Sequence, residues 1–73
     1  MRIYFTDGSY IGDDNGFIGV FINDTFKGSI KTYQAYLEMN KDITHIAALT
    51  EYGSEASVTR IYPKLQVQKI LIT

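Results

Sequence analysis

Asp7 is the residue in this chain best placed for chemistry. It follows Arg2-Ile3-Tyr4-Phe5-Thr6, where Ile3 and Phe5 alternate with Arg2, Tyr4 and Thr6 in the pattern of a two-faced strand. Gly8 comes next, and an Asp-Gly pair breaks a strand and turns the chain. A lone carboxylate in that place serves either as the turn residue or as a ligand for a hard cation. Other chemistry-bearing residues are sparse. Asp13 and Asp14 precede Asn15-Gly16, but the alternating oxygen ligands and closing Glu of an EF-hand loop are missing, which reads as a solvated loop. His45 is the only His and there is no Cys, so a zinc site or a paired nucleophile lacks its partners. Lys27, Lys31, Lys41, Lys64 and Lys69 form no run, and neither common Gly-rich phosphate loop is present. The six Tyr residues could stack bases, yet in so short a chain half-burial or a protein interface is the expectation.

The totals narrow the classes further. Residues 1–73 make one small domain, whose core rarely supplies more than ~3–5 kcal/mol net. With no Cys there is no disulfide to add to that. A metal, a partner chain or a tight sheet is the expected source of extra stability. The net charge is −1 with the signs mixed, which argues against both a polyanion-binding module and an acidic nucleic-acid mimic. No apolar run approaches ~18 residues and no signal-peptide pattern opens the chain, so no membrane partner and a cytoplasmic location are expected. The weight of Ile, Lys, Asn, Asp, Thr and Tyr hints at an AT-rich genome, such as a phage of a low-GC host; the compartment would then be the host cytoplasm.

The elements that must position these residues read as follows. The first strand is Arg2–Thr6, and a polar loop runs on through Gly12-Asp13-Asp14-Asn15-Gly16. The second strand, Phe17–Ile22, is apolar on both faces, with Gly19 marking a close approach of another backbone or a bulge. Asn23-Asp24 is a short hairpin turn. The third strand runs from about Thr25 to Lys31 or Thr32 and, weakened by Gly28, is expected at an edge. Tyr33–Met39 has the helix formers for one or two turns. Asp42 then caps a helix from about Ile43 to Ile61, with Ile43, Ile46, Ala47, Thr50, Gly53, Ser54, Ser57 and Ile61 near one face and Tyr62-Pro63 as its stop. The last strand is Leu65–Thr73, laid parallel to the first by a right-handed crossover. The expected fold is therefore α+β: a three-stranded antiparallel meander, one main helix on one face, and a last strand parallel to the first.

The run Ile3-Tyr4-Phe5-Thr6-Asp7-Gly8-Ser9, its polar loop and Gly16-Phe17-Ile18-Gly19-Val20 together resemble the opening hairpin of the ribonuclease H family. The resemblance implies that Asp7 binds a catalytic metal. It also implies a helix carrying a metal-binding Glu, which Glu51 matches; a competing alignment through Gln34-Ala35-Tyr36-Leu37 puts Tyr36 in that place instead. The family's fourth strand runs into a further ligand Asp, whereas this sequence ends at Lys69-Ile70-Leu71-Ile72-Thr73, one residue short of it. The match therefore covers only the first half of a family domain. Two-metal phosphodiester hydrolysis needs several carboxylates holding cations about 3.5–4 Å apart. Asp7 and Glu51 alone would hold one Mg²⁺ or Mn²⁺ and leave the site incomplete, with the Thr73 α-carboxylate or a second chain as the substitute.

These observations favour a non-catalytic protein-binding module on a truncated ribonuclease H-like scaffold, requiring no cofactor. An inhibitor of a host enzyme or defence system, carried by a phage, is one form of it. The unpaired edge of the last strand would pair with a copy of the chain, as a homodimer or larger species, or with a target protein. Tyr10, Tyr33, Tyr36, Lys69, Leu71 and Thr73 are the residues expected at that contact. The alternatives are a Mg²⁺- or Mn²⁺-dependent nuclease completed by dimerisation, the one reading in which nucleic acid is the partner, and a structural or assembly protein.

Overall fold

Alternation along Arg2–Phe5 has the consequence expected of a two-faced strand: Ile3 and Phe5 are fully buried while Arg2 and Tyr4 lie outward. The computed structural model describes residues 1–39, 41–53 and 57–72. Its strands are β1 (Arg2–Phe5), β2 (Tyr10–Gly12), β3 (Phe17–Ile22), β4 (Thr25–Ile30), β5 (His45–Leu49), β6 (Val58–Pro63) and β7 (Val67–Leu71). The helix α1 (Thr32–Glu38) lies between β4 and β5, and a 3₁₀ turn at Lys64–Gln66 joins β6 to β7. The strands form a three-stranded sheet in the order β2-β1-β7 and a four-stranded sheet in the order β4-β3-β5-β6. Every pairing is antiparallel.

One hydrophobic cluster joins the inner faces of both sheets. Ile3, Phe5 and Ile11 enter it from the three-stranded sheet, and Ile18, Val20, Ile46, Ala48 and Tyr62 from the four-stranded one. The Phe5 and Tyr62 rings stack across the gap, centroids 3.8 Å apart. The helix α1 has seven residues, too few to persist alone in water, and is held by burying Thr32 and Ala35, with Met39 beside them in the core. At its start the side chain of Gln34 accepts the Lys31 N–H at 3.0 Å, satisfying one of the donors a helix end leaves free.

Three expectations are corrected. The long helix from Ile43 to Ile61 is instead the antiparallel pair β5 and β6. The run Ile46-Ala47-Ala48-Leu49 is buried on both faces, so it lacks the alternation that marks a strand, and its alanines favour helix locally. The three-stranded meander gives way to two sheets. The first strand turns back on the short β2, with Ile3 opposite Ile11, and β3 pairs with β4 and β5. The last strand runs antiparallel to β1, not parallel, because β5 and β6 replace the crossover helix and reverse the chain once more. The Asn23-Asp24 turn, with Asn23 at a φ of 54°, and the edge position of β4 are as the sequence reads.

The sheet edges share one feature. Against its neighbour, each of β4, β6 and β7 carries one extra residue: Lys27 between Phe26 and Gly28, Thr59 between Val58 and Arg60, and Gln68 between Val67 and Lys69. Gly28 follows the first of these bulges with a φ of 122°, a conformation glycine adopts without strain. The remaining edge, β2, is only three residues long. Bulges, lysines and short strands are the devices that keep an edge from recruiting another strand.

Candidate functional site

Asp7 lies exposed in the turn between β1 and β2, and its partners are within the turn itself. The Ser9 N–H donates to its Oδ1 at 2.9 Å and the Ser9 hydroxyl at 2.5 Å. These bonds, the hydroxyl's first, hold the Asp7 carboxyl below the usual carboxylate range. The Ser9 oxygen is also 2.7 Å from the Tyr62 hydroxyl, to which Arg60 Nη1 donates at 3.0 Å. An arginine only donates and a carboxylate only accepts, so the protons are directed one way, from Arg60 to Tyr62 to Ser9 to Asp7. This chain of bonds ties the β1–β2 turn to β6 in the other sheet. Glu51 sits exposed in the bend after β5, not on a helix, because the segment around it forms the β5–β6 connection. Among the described residues, no three of the His, Cys, Asp and Glu side chains converge as a metal-binding group.

The loop carboxylates do more than face solvent. Asp13 accepts from the Thr32 hydroxyl at 2.7 Å and lies 3.4 Å from the N-terminal ammonium; the Thr32 bond is the main cause of its lowered pKa. Asp14 accepts from Arg2 Nη2 at 3.0 Å and from the Tyr10 hydroxyl at 3.1 Å. Burial pushes Asp14 upward, but Tyr10 and Arg2 outweigh it and the net direction is down. The same bond raises Tyr10 above its usual value. The two aspartates therefore fasten the start of the chain, β2 and the start of α1 together.

The residues expected at a partner contact separate into two groups. Tyr10 and Lys69 lie on the outer face of the three-stranded sheet, both beside Tyr4: the Tyr4 and Tyr10 rings are 5.5 Å apart and Lys69 Nζ is 5.0 Å from the Tyr4 ring centre. Leu71 pairs with Arg2 on that face, and Arg2 stacks over Tyr10 at 4.5 Å. Tyr33 and Tyr36 project from the exposed side of α1. Thr73 lies outside the described residues.

The outer face of the four-stranded sheet, which has no role in the sequence analysis, also carries apolar side chains. Because Ile18, Val20, Ile46 and Ala48 point inward, Phe17, Gly19 and Phe21 of β3 and His45, Ala47 and Leu49 of β5 point outward. Phe26 of β4 pairs with Phe21, their rings 5.3 Å apart. On β6, Ile61 pairs with Ala47 and Val58 with Leu49. A Cβ added at Gly19 would come within 2.9 Å of the Phe26 ring and 3.1 Å of the Leu49 methyl groups, so the glycine lets both side chains close over the sheet's centre. Tyr52 packs near Phe17 at one end, with ring centres 6.1 Å apart, and Gly53 N–H donates to Ser29 Oγ there. Gly19, Ala47 and Leu49 at the centre are buried beneath these side chains, while at the margins Ile61, Val58 and Phe17 remain 50%, 46% and 44% exposed. The signal available in the sequence was Phe17–Ile22 itself, apolar on both faces, which demands cover on both.

Comparison of the chain with protein-family models, curated proteins and solved structures finds no match. Among the described residues, no helix is long and apolar enough to cross a membrane.

Proposed function

We propose that this chain works as a small protein-binding module whose contact surface is the outer face of the four-stranded sheet. The observation that supports this reading is the group Phe17, Phe21, Phe26, Val58 and Ile61: aromatic and branched side chains on one face, partly or largely exposed, with no carboxylate among them. Contiguous apolar surface of this kind marks association sites in small domains. Aromatic anchors supply most of the energy in such contacts. The face replaces the last-strand edge as the expected contact, since the bulge at Gln68 and the charge of Lys69 disfavour strand addition there. A ribonuclease H-like ancestry stays within the proposal, supported by the Thr6-Asp7-Gly8-Ser9 stretch that ends β1 in a turn. Inhibition of a host enzyme would be one use of such a module.

The test is site-specific photo-cross-linking, with a photoreactive residue at position 61 or, for comparison, at position 71 on the other sheet. Cross-links to protein, whether to the same chain or to another from a cell extract, are expected from position 61 in clear excess over position 71. Equal or absent cross-linking from position 61 would overturn the reading.

A further inference from the structure

The partner can be narrowed by asking what this face would fit. We propose that the outer face of the four-stranded sheet is covered by the same face of a second copy of this chain, forming a weak, two-fold symmetric dimer. This rests on the protein-binding reading above and names its partner.

Charge gives the first argument. Among the described residues, the side chains that define the face carry no carboxylate; His45 stands at the end of β5, and the bulged Lys27 lines the α1 side of the sheet with Val20 and Gln34. Two copies therefore meet without like charges opposed at the centre, and a strongly charged partner would find nothing there to pair with. A two-fold contact needs a self-complementary patch, and an uncharged apolar sheet face is one. Two antiparallel sheets also pack face to face in a standard way, about −30° apart, with their inner side chains interdigitating.

The edges give the second argument. Strand addition would be the other route to a dimer, but β4, β6 and β7 are each interrupted by a bulge and β2 is three residues long. What the fold guards at its edges it does not guard at Phe17, Val58 and Ile61, which stay exposed on this face.

Size gives the third. The accessible surface of the chain is 4563 Å², against about 4,600 Å² expected for a folded monomer of this mass. The domain is thus finished without a partner, and the second copy adds to it instead of completing it. Four strands of five or six residues present a face of roughly 300–350 Å² in projection at the usual strand spacing and rise. Two such faces fall at the small end of specific interfaces, below about 1,200 Å² in total. The contact should therefore be weak and concentration-dependent.

The experiment is the solution mass of the intact chain by sedimentation equilibrium, from about 5 µM to about 500 µM. The wild type is expected to pass from 8.3 kDa toward twice that mass. Ile61→Lys is expected to raise the dissociation constant about thirtyfold or more, while Leu71→Lys on the other sheet leaves it unchanged. Circular dichroism confirms that each variant is folded, and Val58→Lys takes the place of Ile61→Lys if that chain unfolds. A wild type that stays at 8.3 kDa throughout overturns the proposal. So does a dimer broken by Leu71→Lys and not by the β6 variants. A monomer that still cross-links another protein from position 61 leaves the binding reading standing and removes only the second copy; a monomer with no such cross-link removes both.

Discussion

The relay from Arg60 through Tyr62 and Ser9 to Asp7 explains why this turn has the residues it has. Asp7 and Ser9 satisfy each other locally, and the spare capacity of the Ser9 oxygen is used by a tyrosine 53 positions away. Tyr62 is 6% exposed, so its hydroxyl needs partners inside the protein and finds two. Tyr62→Phe is expected to cost about 1–2 kcal/mol in urea denaturation while keeping the ring stack on Phe5. In a double-mutant cycle, Ser9→Ala and Tyr62→Phe should couple by roughly 0.5–1.5 kcal/mol; strict additivity would mean that the bond between them contributes nothing. Acid should act on the same region. Asp7, Asp13 and Asp14 all have folded pKa values below their ordinary ones, so the unfolded chain binds more protons as the pH falls. Their stabilisation is complete above the ordinary carboxylate range and is lost as the pH drops below about 4 through the folded values. Because all three are exposed, the loss should be modest. The urea midpoint is expected to hold from pH 7 to 5 and to decline below about 4, with a shallower decline in Asp13→Asn; an unchanged acid slope in that variant would assign the effect elsewhere.

Among the strands, β3 holds the fold together, since it pairs with β4 and β5 and lends side chains to both faces. Gly19 sits at its middle, under the Phe26 ring and the Leu49 methyl groups. Gly19→Ala should therefore overpack the outer face and cost about 1–3 kcal/mol in chemical denaturation. Gly19→Ala combined with Phe26→Leu, which removes the nearer obstacle, should recover part of that loss. No recovery would place the strain in the backbone instead. What could be read from sequence follows the same division. β1, β3, the Asn23-Asp24 turn and the short helix are legible because each has a strong local signature: alternation, an all-apolar run, turn residues or helix formers; β4, weakened by Gly28, follows from the turn before it. β5 and β6 are not legible. The spacing of Ile43, Ile46, Ala47 and Thr50 imitates a helix, and only pairing with β3 makes His45–Leu49 a central strand. The β-branched Val58, Thr59 and Ile61 were the local warning. A helix in place of that hairpin reverses the expected direction of β7 and removes half of the apolar outer face, which β5 and β6 provide.

For the molecule as a whole, the balance to explain is how 73 residues without a disulfide remain folded with apolar side chains exposed at the margins of one sheet face. The radius of gyration, 10.8 Å, is close to the roughly 11 Å expected for a domain of this length, so the chain gains no more by further collapse. Domains this small hold only a few kcal/mol in reserve. Any species that binds only the folded form adds to the reserve by mass action. If the second copy is that species, thermal stability must depend on protein concentration. Above the dissociation constant, each tenfold increase should raise the melting temperature by about 3–5 °C, the shift that half of a tenfold association energy produces in a domain of this size. Below that constant the curve should flatten to the value of the lone monomer. Ile61→Lys should show the flat behaviour throughout, because its folded form has no partner to bind. Calorimetry across that range decides the point: a wild-type melting temperature independent of concentration would mean that folding and association are not linked, and that the outer face meets water, or some other protein, when this chain is alone.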